Sequence, residues 1–346
     1  MRLSRLAPTL AVLLGVVSVL VPSSEPTQAR SAPSWSASVH PTIPPIPQQV
    51  YARVQPVKND KTAIIPFDTA PFPYSGNVAS SDQPFLNVVE NGRIGHRTFF
   101  GHTYWQDETY NDDRVLLHIP KGFDIRRPAV MIVFFHGHGA TLTRDVLRRQ
   151  RLPAQITASG VNAVLVAPQF AVDASDSSAG KFWQPGAFAR FVGEAAQKLA
   201  KLHGDPRSVR TFASMPIVMV AYSGGYLPAA WCAVKGGLMK RVRGIVLLDA
   251  LYGELGKFAS WISNDRSAFF VSTYLGSTES KNAEMERVLL DNQIDFSTSL
   301  EGRLEPGSVT IFHGGDHLSH RDLVTHAWVD YPVADILRRI SAVPLR

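Results

Sequence analysis

Residues 216–225 read Pro-Ile-Val-Met-Val-Ala-Tyr-Ser-Gly-Gly. An apolar, β-branched run stops abruptly at Ala221-Tyr222-Ser223-Gly224-Gly225, and a stretch rich in Ala, Leu and Trp follows. The pattern predicts a buried strand, a tight turn with serine at its apex, and a helix. Such a turn lifts one hydroxyl clear of a sheet edge and points the following backbone N–H groups at whatever that hydroxyl attacks. It also constrains the architecture, because a strand apolar on both faces must be covered on both faces.

The rest of the chain agrees with that demand. Strands are expected at 114–119, 129–135, 162–167, 217–222, 244–248, 268–274 and 308–312, and helices at 143–159, 186–202, 280–292 and 330–340. Apolar strands separated by helical patterns imply an α/β fold, with a mostly parallel central sheet and helices on both faces. Sites in such sheets form at the carboxyl ends of the strands. No internal repeat is present.

The 346 residues include 45% hydrophobic and 18% charged residues, a globular balance. The formal charge is +6, but the basic residues are scattered. The short clusters Arg148-Arg149-Gln150-Arg151 and Lys240-Arg241-Val242-Arg243 lack interleaved aromatics and read as solvated helix faces, so nucleic acid is not an expected partner. Residues 1–29 read as a signal peptide: Arg2 and Arg5 precede an apolar stretch at 6–21, and small residues end at Ala29. Export to a periplasm or the medium is therefore expected, with no membrane span after cleavage. Residues 30–92 read as a Pro/Ser-rich leader and 93–346 as the folded domain. The single cysteine, Cys232, excludes an internal disulfide.

A serine hydroxyl needs a base to take its proton, an acid to orient the base, and fixed donors for the oxyanion. Each part has a candidate at a strand end. Ser223 is the nucleophile. Gly224 offers one oxyanion N–H, and the turn Phe135-His136-Gly137-His138-Gly139 offers a second, from His138 or Gly139. The base is His320 or His317, both in the loop after the last strand. The acid is Asp249, at the end of the strand 244–248, or Glu279, expected in a loop after the next strand. Tyr222 and Trp183 are candidate substrate contacts, the latter from the long loop 173–183. The stretch 102–110 is a second possible pocket wall. This chemistry calls for no cofactor. Two rivals stay open: a non-catalytic binding protein on the same fold, and a metal-dependent hydrolase using His313, His317 and His320.

These features resemble the α/β-hydrolase superfamily over the region from Arg114 to the C-terminus. The resemblance rests on Ile119-Pro120-Lys121-Gly122-Phe123-Asp124, the His136–Gly139 turn, the Ser223 elbow, and an acid and then a histidine after it. It implies a serine hydrolase that cleaves a carboxylic ester or amide through an acyl-enzyme, with Ser223, Asp249 and His320 in family order. Two departures are visible. The elbow begins with Ala221 where glycine is commoner, and most members place the acid one strand later than Asp249.

Overall fold

The computed structural model describes residues 55–79, 81–99 and 101–340. The stretch expected to be a signal peptide lies outside them. Eleven strands occur among the described residues. The first four are β1 Lys61–Pro66, β2 Val88–Glu90, β3 Arg93–Arg97 and β4 Thr103–Trp105. Then come β5 Arg114–Ile119, β6 Val130–Phe135, β7 Ala163–Pro168 and β8 Ile217–Tyr222. The last three are β9 Val242–Leu248, β10 Phe269–Tyr274 and β11 Val309–His313.

Eight strands make one sheet in the order β1-β5-β7-β6-β8-β9-β10-β11. β5 pairs antiparallel with both β1 and β7, while every pairing from β7 through β11 is parallel. One reversed strand near the edge of an otherwise parallel sheet, in this order, is the topology of the α/β-hydrolase fold. β2, β3 and β4 form a separate three-stranded antiparallel sheet.

The period-two alternation of the strands divides the core in two. Met131, Val133 and Phe135 of β6 and Ile217, Met219 and Ala221 of β8 face one layer. Val130, Ile132 and Phe134, with Val218, Val220 and Tyr222, face the other. Both strands are buried along their full length. Burying a side chain of this size stabilises by about 1.5–3 kcal/mol, so the carboxyl ends of β6 and β8 are held firmly where the site will form. The helix Ala187–His203 covers the first layer, with Phe188, Phe191, Val192 and Leu199 inward. The helix Pro332–Arg339 covers the second through Val333, Ile336 and Leu337.

Three differences from the sequence reading have physical causes. β1 comes from within the stretch whose composition reads as a leader. Its half-exposed pattern and terminal Pro66 suit an edge strand, where an unpaired N–H is not missed. Phe67, Phe72, Tyr74 and Phe85 follow it into the core. The single helix expected over 143–159 is two segments, Leu142–Arg149 and Leu152–Ser159, broken where Arg151 takes φ 54° just ahead of Pro153. The helix carrying Glu279 begins at Gly276 rather than Ser280, so Glu279 lies in its first turn and not in a loop.

Candidate active site

β8 ends at Tyr222 and a helical turn begins at Ser223, leading into the helix Tyr226–Lys235. Ser223 itself takes φ 54°, a left-handed conformation that costs a non-glycine residue about 1–3 kcal/mol. Gly225 makes the sharp turn possible, because a Cβ there would lie 2.2 Å from the Phe135 carbonyl oxygen at the end of β6. The first N–H groups of a helix have no partner within it, so that of Gly224 is available at the apex of the turn. The Ser223 hydroxyl makes no hydrogen bond among the described residues.

The turn after β6 lies directly against the elbow. A Cβ on Gly137 would stand 2.6 Å from Ser223 Cβ. His136 anchors this turn from below. Its Nε2 accepts the Phe170 N–H at 2.9 Å and faces the Gln169 amide nitrogen at 3.0 Å, so its proton must sit on Nδ1. Nδ1–H then donates to the Gly137 carbonyl at 2.8 Å. The Gly139 N–H is already committed to the Ala174 carbonyl at 2.9 Å, which removes it as an oxyanion donor. The His138 N–H has no such bond among the described residues. The His138 ring lies over Gly224, where a Cβ would come within 2.3 Å of its Cδ2, and its Nε2 is 2.6 Å from Ser177 Oγ. Burial pushes the His138 imidazole down from its ordinary pKa, against the opposing charge of Asp176.

Full burial pushes the His136 imidazole down from 6.5 to about 4. In the unfolded chain the ring takes a proton near pH 6.5, whereas the folded protein resists protonation until about pH 4. The unfolded state therefore binds more protons between those values. The contribution, roughly 3 kcal/mol, is complete above pH 6.5 and lost as pH falls to 4. Thermal unfolding followed from pH 7.5 downward should show a midpoint that drops steadily below pH 6.5. A midpoint that stays level to pH 4.5 contradicts the assignment.

Asp249 follows β9 directly, is fully buried and takes φ 43°. Its Oδ2 meets His320 Nδ1 at 2.6 Å. Oδ1 accepts the Leu275 N–H at 3.2 Å and the Thr278 hydroxyl, and the Ser277 hydroxyl reaches Oδ2 at 3.3 Å. These donors sit at the start of the helix Gly276–Asp291, whose N-terminal dipole also favours an anion. Burial alone would raise the carboxyl. The bonds from His320, Thr278 and Leu275 outweigh it and hold the group below the ordinary aspartate value. Because Nδ1 is spent on Asp249, Nε2 is the nitrogen left uncommitted. The ring is fixed by stacking on Tyr222 at 4.8 Å, with the Tyr222 hydroxyl donating to the His320 carbonyl at 3.3 Å. Tyr222 is thus a support for His320 as well as a neighbour of Ser223.

The other candidates do not join this set. His317 is exposed and makes no hydrogen bond to a carboxylate among the described residues. Glu279 is exposed on the helix surface. Trp183 is only 9% exposed and packs edge-on against Tyr74 and Phe85, so it is a core side chain and not a pocket wall. Ser177, earlier in the same loop, is the residue that reaches the site. The stretch 102–110 braces that loop: the Tyr104 hydroxyl accepts the Ser175 N–H at 3.0 Å and Tyr110 donates to Asp176 at 2.9 Å. The histidines after β11 do not converge, and no group of three His, Cys, Asp or Glu side chains is placed to hold a metal ion among the described residues. The anchoring role of His136, Ser177 and the helix turn at Ser277–Thr278 escaped the sequence reading. Only His136, adjacent to a glycine turn, carried a signal that could have exposed it.

A cavity of about 280 Å³ opens beside this cluster, lined in part by His138, Gly139, Gln150, Tyr222 and Arg321. A larger one, about 520 Å³, lies near Lys61, His203 and Arg207 and includes none of the clustered residues.

No family model matches the chain, and no curated protein does. Among solved structures it is similar to the feruloyl esterase module from Clostridium thermocellum, at 12% identity over 78% of this chain and 97% of that one, with a TM-score of 0.43. An S-formylglutathione hydrolase from Agrobacterium tumefaciens is similar at 10% identity, over 73% and 98%, with a TM-score of 0.39. A thermophilic esterase from Thermogutta terrifontis is similar at 11% identity, over 61% and 85%, with a TM-score of 0.32. Likeness of this size carries no argument about activity, and the fold rests on the strand order and directions described above.

Proposed function

We propose that this chain of α/β-hydrolase fold is a serine hydrolase acting on carboxylic esters through an acyl-enzyme. The observation that carries the reading is the 2.6 Å contact between His320 Nδ1 and the buried Asp249 carboxylate, at the sheet end where Ser223 turns out of β8. A histidine oriented by a buried, anionic acid and stacked on the residue before a strained serine has little structural purpose and a clear chemical one.

In this reading Ser223 Oγ attacks the acyl carbon and forms the new C–O bond while its proton passes to His320 Nε2. Asp249 stabilises the imidazolium that results. The N–H groups of Gly224 and His138 receive the developing oxyanion. The C–O bond to the alcohol breaks, and the leaving oxygen takes the proton from Nε2. Water then repeats the sequence and releases the acid. Catalytic hydrogen bonds commonly tighten only with substrate in place, which accommodates the unbonded Ser223 hydroxyl. The signal-peptide pattern of residues 1–29, with Arg2, Arg5 and an apolar run, supports an exported enzyme.

A fluorophosphonate probe tests the reading directly. It should label the wild-type protein at Ser223 within minutes and leave Ser223→Ala unlabelled. An unlabelled, folded wild type would sink the proposal. A binding-only protein predicts that outcome.

A further inference from the structure

The cavity beside the site has a charge pattern that the hydrolytic reaction alone does not use. Arg321 follows His320 directly, lines the cavity and is exposed. Its guanidinium makes no ion pair or hydrogen bond among the described residues. Arg149 lines the same cavity and is held at its rim by Asp145 at 3.1 Å. Asp145 itself lines the cavity and is shared with Arg144 at 2.8 Å, while Arg144 also pairs with Asp173 at 2.7 Å, so these two carboxylates balance the two arginines. Asp322, next to Arg321, is occupied by the Ser319 N–H at 2.7 Å and by His326 at 3.0 Å. The unpaired positive charge on this wall is therefore that of Arg321, in a cavity also lined by Tyr222, the residue before Ser223.

Gln150 adds an independent observation. It lines this cavity and a neighbouring one of about 480 Å³, which also includes Arg149, Arg151 and Thr325. Its side chain is 7% exposed, yet its buried amide oxygen has no hydrogen-bond partner. A carboxamide left unpartnered in a protein interior normally costs about 1–3 kcal/mol. An unpartnered carboxamide that lines two cavities has the features of a polar ligand subsite.

We infer that this cavity is the substrate-arm subsite, and that it takes an ester whose acyl or alcohol part carries an anionic carboxylate on a short arm. Arg321 and Arg149 would hold the carboxylate, and Gln150 would meet a neighbouring polar atom. The volume of about 280 Å³ sits at the small end of ligand pockets and limits the arm to a short chain. The inference rests on the serine-hydrolase reading above.

The experiment compares kcat/KM for charged and neutral esters at low salt. Mono-p-nitrophenyl glutarate against p-nitrophenyl butyrate probes the acyl side. Para-acetoxybenzoate against phenyl acetate probes the alcohol side, followed by acid release. One of the two pairs should favour the charged ester by roughly tenfold or more, the size expected of a charge-assisted contact. Raising the salt should shrink the preference. In Arg321→Gln the charged-to-neutral ratio should collapse toward one through KM, with a smaller loss in Arg149→Gln. Using the ratio keeps general damage near His320 out of the readout. Turnover of the neutral esters without preference in either pair, or a preference untouched by both substitutions, overturns the inference and leaves the hydrolase reading standing. Absence of both fluorophosphonate labelling and turnover overturns the two together.

Discussion

Ser223→Ala should lower kcat for p-nitrophenyl acetate by roughly 10⁴–10⁶-fold, the loss that follows removal of a nucleophile from an intact triad. The fold should be nearly indifferent. The Ser223 hydroxyl makes no hydrogen bond among the described residues, so its removal leaves no buried partner unsatisfied. Alanine keeps the Cβ that packs against Gly137, and it inherits the same left-handed backbone at φ 54°. The unfolding midpoint should therefore move by only a degree or two. Retention of more than about a tenth of wild-type turnover in a purified, folded variant would assign the chemistry to another group. A large fall in the unfolding midpoint would show instead that the side chain supports the elbow.

The second large effect belongs to Asp249→Asn, with an expected loss of roughly 10⁴-fold in kcat. The change is nearly isosteric but reverses one hydrogen bond. Oδ2 now receives the proton on His320 Nδ1 at 2.6 Å. An amide nitrogen in that place would donate to Nδ1 and drive the proton to Nε2, where it blocks acceptance from Ser223. The amide oxygen could still accept from Leu275 and Thr278, so the stability loss should be modest, about 1–3 kcal/mol. Glu279→Gln is the companion measurement. Its carboxylate is exposed in the first turn of the helix Gly276–Asp291, and its loss should change kcat less than twofold. Comparable losses in the two variants would contradict the geometry of the acid.

The legible part of this molecule was the part written in local pattern. β6 and β8 announce themselves because every residue is hydrophobic and a glycine stands two residues past each end. β1 does not, because it is a short, partly exposed edge strand inside a proline-rich stretch. The position of Ser223 follows from its own neighbours. The choice between Asp249 and Glu279 depends on a loop seventy-one residues further along the chain, where His320 either meets a carboxylate or does not. Gly139 looked as good a donor as His138 because glycine frees a backbone. That its N–H is committed to Ala174 is a tertiary fact. Trp183 misled for a related reason. Aromatic residues in a long loop suggest a pocket wall, but Tyr74 and Phe85 from the presumed leader supplied a core for it to enter.

The stacking of His320 on Tyr222 has a kinetic meaning. The imidazole is carried by a loop after the last strand, and its seat is built from β8, β9 and the start of the helix Gly276–Asp291. Most of these contacts join residues far apart in sequence, the kind that form late because chain-closure entropy must be met first. In the proposed mechanism the reactive set is therefore complete only when the C-terminal part of the chain docks. On that proposal a polypeptide still emerging, or clipped before residue 320, holds Ser223 without its base, and recovery of turnover during refolding should report completion of the whole sheet rather than its centre.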